Sequence, residues 1–338
     1  MLRRLIARHR SWPLAAPFRI SRGVKHSAEV VVVEIRQGAM SGRGEGVPYA
    51  RYGESVDSVL MQVRAVAGLV EAGATREDLA RSLPPGAARS AIDAALWDLE
   101  AAASGETVSA ALGHGPLQSL TTALTVGLDM PERMAEAARS LAGAALVKVK
   151  VDASRPEAQI RAVRRHCPDA RLIVDPNESW NIDLLRTLQP VLTEARVDLV
   201  EQPLPAADDA ALAGLGPAVP MCADESCHVG DDLPRLRGLY QVVNIKLDKT
   251  GGLTEALRLL AAARADGFRI MVGCMICSSL GIAPALQVAR EAEFVDLDGP
   301  LWLERDHAGG ARAHAGLLSP PKPGFWGEPV PLALRGAR

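Results

Sequence analysis

From residue 116 to residue 305 the apolar positions follow two patterns in regular turn. Short β-branched runs begin near Thr121, Leu146, Arg171, Val197, Pro220, Val242, Arg269 and Phe294, spaced by about 22 to 27 residues. Between them lie stretches with helical spacing, such as Pro131 to Ala142, Pro156 to His166 and Leu253 to Ala265. The first two carry proline at the first helical position, where its missing N–H is not needed. Eight strands alternating with helices at this period specify a (β/α) barrel. An open doubly wound sheet would carry a glycine-rich phosphate turn after its first strand, and no G-x-G-x-x-G stands there. Gly251-Gly252, after the sixth strand, reads as a turn leading into a helix, with a phosphate cradle as the alternative.

Residues 1–115 are patterned differently. Phe18 to Ser21, Glu29 to Gln37 and Arg43 to Val47 read as strands, the second holding the unbroken run Val30 to Val33. Two amphipathic helices follow, Ser55 to Glu71 and Ala87 to Ala103, the latter closed by Ser104-Gly105. Strands that succeed one another without helices between them cannot feed the barrel. The first 115 residues are therefore a separate α+β module, and 116–305 is the barrel.

Composition narrows the partners. A formal charge of −2 and the lack of a long basic run argue against nucleic acid or an anionic membrane. No apolar run approaches the roughly 18 residues of a membrane span. The basic opening, Met1 to Arg10, is broken by arginines and reads as no secretory signal. Five cysteines, Cys167, Cys222, Cys227, Cys274 and Cys277, suit a reducing cytoplasm better than a disulfide framework. Cys274 and Cys277 have C-x-x-C spacing but no second pair or nearby histidine to complete a zinc set, and read as reduced thiols.

Functional groups of such a barrel sit at the carboxyl ends of its strands. The second run, Leu146 to Val151, ends in Lys148 and Lys150, which alternate onto one face. Lysine is scarce here. Of 38 basic residues only Lys25, Lys148, Lys150, Lys246, Lys249 and Lys322 are lysine, and lysine, unlike arginine, can release its proton in a protein. The third, fourth and fifth runs end in Asp175, Glu201 and Asp224. Three carboxylates at one height repel one another unless a cation lies between them, and an all-oxygen set favours Mg²⁺. The sixth run ends in Lys246, across the barrel from Lys150. Two amines on opposite faces of a cation-bound substrate can take a proton from one side of a carbon and return it to the other. For this each lysine must come down from about 10.4 to near 7 or 8, with the Lys148 ammonium and the metal charge acting in that direction on Lys150.

The set Lys-x-Lys, Asp-x-Asn, Glu-Gln-Pro, Asp-Glu-Ser and Asn-Ile-Lys resembles the enolase superfamily, muconate-lactonizing subgroup. The likeness extends to Arg51-Tyr52-Gly53-Glu54-Ser55 and to Ala87 through Leu99. It implies a modified, (β/α)7β-like barrel under an N-terminal capping domain, the cap being completed by 306–338. It also implies one Mg²⁺ per subunit on Asp175, Glu201 and Asp224, Lys150 and Lys246 as acid and base, and Lys148 as accessory lysine. Pro176, where relatives often carry alanine, departs from the pattern without touching the Asp175 carboxylate.

Asp296-Leu297-Asp298 in the eighth run resembles the Asp-x-Asp of dipeptide epimerases, where the pair receives the substrate ammonium. Two carboxylates beside a closed cavity need such a cation. The seventh run ends without histidine, unlike the mandelate-racemase-like branch. Arg19, Arg22 and Lys25 stand where relatives place a mobile loop, and Thr125 on the first run is a further substrate contact. The likeness to L-Ala-D/L-Glu epimerases implies inversion of the second residue of L-Ala-L-Glu or L-Ala-D-Glu in recycling of cell-wall peptides, in the cytoplasm. A homo-oligomer stays open. The alternatives are an N-acylamino-acid racemase, a cycloisomerase or an o-succinylbenzoate synthase of the same subgroup, and, more remotely, a metal-stabilised binding protein without catalysis.

Overall fold

The structure, a computed structural model, describes residues 3–329. It opens with an antiparallel sheet of β1 (Arg3–Ile20), β2 (Gly23–Gln37) and β3 (Met40–Gly46), in that order. β1 is far longer than the expected Phe18 to Ser21. Its arginine-rich half reads as solvated chain, yet an edge strand needs only one apolar face. Leu5 and Ala7 supply that face against the cap core, while Arg4, Arg8 and Arg10 stay exposed.

Three helices and one short turn of helix follow: α1 (Val56–Glu71), α2 (Arg76–Ser82), α3 (Ala87–Ser104) and α4 (Val108–Ala111). Ser55 and Thr75 cap α1 and α2 through reciprocal bonds with Ser58 and Asp78. The sequence reading had no α2, whose seven residues bury only Leu79 and so show no period. Val31, Val33 and Ile35 of β2 meet Val59, Val63 and Val70 of α1 and Ile92 and Leu96 of α3 in one apolar core. β3 carries glycine at alternate positions for a steric reason. A Cβ at Gly42, Gly44 or Gly46 would fall 2.0, 2.1 or 2.2 Å from the carbonyl oxygens of Ala95, Ala91 and Ala87, so α3 lies backbone to backbone on the strand.

The barrel begins after a split first strand. β4 (Leu120–Thr121) joins a small sheet with β13 (Arg312–His314) and β14 (Leu317–Ser319), and the chain then enters the barrel as β5 (Leu124–Val126). The remaining strands are β6 (Leu146–Lys150), β7 (Arg171–Asp175), β8 (Leu199–Glu201), β9 (Met221–Ala223), β10 (Val242–Ile245), β11 (Arg269–Gly273) and β12 (Phe294–Asp296). All are parallel and neighbours in sequence order. Bonds from Ala123 N–H to Val295 O at 2.7 Å and from Leu297 N–H to Thr122 Oγ1 at 2.9 Å bring the first and last strands together. The helices outside are α5 (Pro131–Arg139), α6 (Pro156–His166), α7 (Ile182–Glu194), α8 (Leu233–Leu236), α9 (Leu247–Thr250), α10 (Leu253–Ala265), α11 (Ser279–Ile282) and α12 (Ala285–Ala289).

The interior of the barrel is built in layers, and the layers place the site. Ala123, Leu146, Ile173, Leu199, Cys222, Val242, Met271 and Phe294 form one buried apolar cluster, one residue from each strand or its threshold. Side chains two residues further along point to the same interior. Those positions are Thr125, Lys148, Asp175, Glu201, Asp224, Asn244, Gly273 and Asp296. A dry plug thus carries a polar floor directly above it.

The cap is fastened to this floor at its rim. Arg89 of α3 donates to the carbonyls of Thr250 and Gly251 at 2.5 and 3.2 Å, and Asp93 accepts from Thr254 N–H and Oγ1 at the start of α10. Glu45 of β3 receives both the N–H and hydroxyl of Ser278. Phe325 to Gly327 return to the cap through bonds with Arg43 and Asp98. Of the expected C-terminal completion, 330–338 lie outside the described residues. Among the described residues no helix is long and apolar enough to cross a membrane.

Candidate active site

A cavity of about 880 Å³ lies between the polar floor and the cap. Lys148, Lys150, Asp224, Lys246, Asp296 and Asp298 line it from the barrel, and Arg22, Lys25, Tyr49 and Tyr52 from the cap.

Lys148 is the hub of the floor. Its ammonium stands 2.7 Å from Glu201 Oε2, 2.7 Å from Asp296 Oδ2 and 3.0 Å from Asp175 Oδ2, with the whole group buried. Lys150 meets the same Asp175 Oδ2 at 2.5 Å. On the opposite side of the barrel Lys246 meets Asp224 Oδ2 at 2.6 Å. β6 and β10 are separated by the three strands that carry Asp175, Glu201 and Asp224, so Lys150 and Lys246 face the cavity from opposed walls.

The charges of these groups are strongly interdependent. Burial works against ionisation of Asp175, but Lys150 and Lys148 outweigh it and hold the carboxyl well below its usual range. Asp224 is depressed likewise by Lys246 and Lys249 against burial. Glu201 goes the other way, pushed up to about 7 by burial and by the Asp175 charge. Burial lowers Lys148 and Lys246, yet the carboxylates around them prevail and both ammonium groups lie well above their ordinary value. For Lys246 this direction is opposite to the lowering expected from the sequence. That expectation came from the need for a base near neutral pH, and lacked the Asp224 carboxylate in direct contact.

The three acids expected to hold a cation are brought together on adjacent strand ends. They are joined through lysines, and among the described residues no trio of carboxylate, histidine or cysteine forms a ready cage. Their chemistry nevertheless fits Mg²⁺. The donors are all carboxylate oxygens, all buried, and Glu201 Oε2 accepts no hydrogen bond although it faces an ammonium.

Asp296 and Asp298 both reach the cavity. Lys148 already occupies Asp296 Oδ2, while Asp296 Oδ1 is buried without a hydrogen-bond partner. Asp298 Oδ2 accepts the Thr125 N–H at 2.9 Å, and burial with the Asp296 charge lifts its carboxyl to about 6. Thr125 lines the same wall. Of the three cap cations, Arg22 and Lys25 line the cavity, whereas Arg19 is exposed and does not. Arg22 is tied to the barrel through Glu225 at 2.6 Å, Glu178 at 3.1 Å and the Asn177 carbonyl at 3.0 Å. Lys25 sits over the Tyr49 ring at 4.9 Å, and burial lowers its ammonium. Cys274 lines the cavity as a free thiol, as all five cysteines are free.

Several supporting residues escaped the sequence reading. Gln202 accepts the N–H groups of Asp224 and Ser226 at 2.9 and 3.1 Å and donates to Tyr240, locking the ends of β8 and β9 together. Asn244 donates to Glu201 Oε1 at 2.9 Å. Tyr52 enters from the cap, where the charges of Asp224 and Lys246 both reach its hydroxyl. Gln202 and Asn244 stood inside the Glu-Gln-Pro and Asn-Ile-Lys motifs, which was the available signal. Tyr52 had none.

Comparison with known proteins agrees with this geometry. Residues 3–113 match the mandelate racemase / muconate lactonizing enzyme N-terminal domain, and residues 132–325 match the enolase C-terminal domain-like family. The chain is 48% identical over 298 residues to the L-Ala-D/L-Glu epimerase of Escherichia coli K12, covering 88% of this chain and 93% of that protein. It is 42% identical over 302 residues to an N-acetyl-D-glutamate racemase of Pseudoalteromonas sp, covering 88% and 95%. A crystal structure of an enolase family member from Agrobacterium tumefaciens, with bound sodium and L-Ala-L-Glu, superposes with a TM-score of 0.94 at 47% identity, over 96% of this chain and all of that one. Other dipeptide epimerases of this fold are complexed with Mg and a dipeptide.

Proposed function

The chain belongs to the enolase superfamily, in its mandelate racemase and muconate lactonizing branch, and from that premise we propose that it is a Mg²⁺-dependent dipeptide epimerase interconverting L-Ala-L-Glu and L-Ala-D-Glu. The observation that carries this reading is the opposition of Lys150 and Lys246 across a cavity whose third wall holds Asp296 and Asp298. In it Asp296 and Asp298 bind the substrate ammonium. Lys150 and Lys246 then flank the α-carbon of the second residue, one removing its proton and the other delivering one to the opposite face. Positioned acid–base groups of this kind contribute about 10²- to 10⁴-fold each. Asp175, Glu201 and Asp224 would hold the Mg²⁺, which when bound supplies positive charge for the electrons released onto the substrate carboxylate. Lys148 ties the acids of the metal set to Asp296, so the two ends of the substrate are registered by one buried group. Lys25, less committed than Arg22, is the better partner for the glutamate side chain. The five free thiols support work in a reducing compartment.

An N-acylamino-acid racemase is the second reading, favoured by the Pseudoalteromonas relative. Its substrates bring no ammonium, which would leave Asp296 Oδ1 buried and unpaired. Incubation of L-Ala-L-Glu with enzyme and Mg²⁺ in D₂O, followed by NMR, tests the proposal. Loss of the α-proton with deuterium in both epimers supports it. Turnover of N-acetylglutamate alone, with the dipeptide untouched, would overturn it.

A further inference from the structure

Asp224 is held from two sides, and only one side belongs to the cavity. Lys246, on the cavity wall, takes Oδ2, while Lys249 takes Oδ1 at 2.7 Å. Lys249 also donates to the carbonyl of Asp224 at 2.5 Å and to that of Asn244 at 2.9 Å. An ammonium has three N–H groups, and here all three are committed to protein acceptors. The residue is 1% exposed and does not line the cavity, so it cannot meet substrate.

Its place in the chain explains how it is kept there. Lys249 lies within α9, which begins directly after Lys246 and ends at the Thr250 and Gly251 carbonyls gripped by Arg89 of the cap. The side chain of Asn244, whose carbonyl Lys249 binds, donates to Glu201. One ammonium thus fixes the backbone and carboxylate of Asp224 directly and the Glu201 carboxylate through one intermediary.

We propose that Lys249 is a positioning residue for the cation site: it holds Asp224 in a single orientation, with Oδ1 spent on itself and Oδ2 directed to the cavity. The inference rests on Asp224 and Glu201 being metal ligands. A side chain without donors there leaves Asp224 Oδ1 unpartnered and takes one donor from each of two buried carbonyls, the Asp224 carbonyl keeping only the Cys227 N–H at 3.1 Å, and Asp224 turns to find others. Loss of such an outer partner weakens metal binding by about 10- to 100-fold.

The test is titration of the full-length protein with Mn²⁺, a paramagnetic probe for Mg²⁺, read by electron paramagnetic resonance. Lys249→Met should weaken Mn²⁺ binding at least tenfold while circular dichroism stays that of the wild type. If that variant does not fold, the same titration of Lys249→Gln, which keeps donors for the carbonyls and lacks the charge, decides the matter. Asp224→Asn separates the two ideas. Should Asp224→Asn lose Mn²⁺ while the folded Lys249 variant binds within threefold of wild type or more tightly, the inference is overturned and Asp224 stands as a ligand. Should Asp224→Asn bind Mn²⁺ undiminished, the ligand reading falls and takes this one with it. A purely structural Lys249 would lower the unfolding midpoint and leave the Mn²⁺ affinity of the folded protein where it was.

Discussion

Asp298 offers a test in which the structure sets both the direction and the size of the effect. Only its carboxylate form can pair with an ammonium. Burial and the neighbouring Asp296 raise it to about 6, so it is largely ionised at pH 7 and largely protonated at pH 5. The ionised fraction falls about tenfold between those values, equivalent to about 1.4 kcal/mol. The dipeptide's own ammonium, with a pKa near 8, stays charged over the whole interval. KM for L-Ala-L-Glu in the wild type therefore rises about tenfold from pH 7 to pH 5 through this group. Asp298→Asn keeps the acceptor for Thr125 N–H, which is 2.9 Å away, and removes the charge. At pH 7 its KM should exceed that of the wild type by about 10- to 150-fold, the worth of a hydrogen bond to a charged group. All other groups are common to both proteins, so the ratio of the two KM values isolates Asp298. That ratio should shrink about tenfold on going from pH 7 to pH 5. A ratio unchanged over the interval, or a variant with the wild-type KM at pH 7, would refute the assignment of Asp298 to the ammonium.

Lys150→Ala and Lys246→Ala should each lose about 10²- to 10⁴-fold in epimerisation, and in D₂O each should exchange the α-proton of one epimer only; exchange from both epimers in either variant contradicts a two-base site. Removal of divalent ions with EDTA should abolish turnover and added Mg²⁺ restore it, as followed by polarimetry; full activity in EDTA removes the metal from the mechanism. Glu45, raised by burial to about 7 from an ordinary 4.5, keeps a proton in the folded state that the unfolded chain releases. Its contribution is present below pH 4.5 and lost as pH rises through 7, about 3 kcal/mol in all, so Glu45→Gln should be the more stable protein in urea at pH 8 and equal to wild type near pH 4.5. An unchanged difference between those pH values would show that Glu45 ionises as freely in the fold as out of it.

The barrel was legible because it repeats. The strand starts at Leu146, Arg171, Val242, Arg269 and Phe294 coincide with β6, β7, β10, β11 and β12, and Leu253–Ala265 is α10. Strand ends were legible too, since in a barrel the last inward residue of each run must face the same opening. The first half of β1 was hidden because an edge strand with one wet face can carry arginine at every second or third position without penalty. The length of α2 gave its periodicity no room to show. Which members of the Arg19, Arg22 and Lys25 trio reach the cavity was settled by folding. A hairpin tip presents alternate faces, so sharing a loop with Arg22 does not bring two side chains to one cavity.

The lysines show where sequence logic stops. Four of the six, Lys148, Lys150, Lys246 and Lys249, converge on Asp175, Glu201, Asp224 and Asp296. Arginine serves elsewhere, as in the exposed pairs of Arg161 with Glu157 and Glu194. The difference is geometric: a guanidinium fork grips one carboxylate in its plane, whereas a single nitrogen can stand within 3.0 Å of three carboxylates at once, as Lys148 does. Residue type therefore singled out the polar floor in advance. The sign of the electrostatics at Lys246 did not follow, because Asp224, the carboxylate in contact with it, arrives from another strand. Every charge in this floor is balanced across strands, so each lysine acts in a field set by carboxylates it meets only after folding. Altering Glu201, whose charge reaches both Lys148 and Lys246, must accordingly change the proton affinity of both, and double variants of Glu201 with Lys246 should prove non-additive.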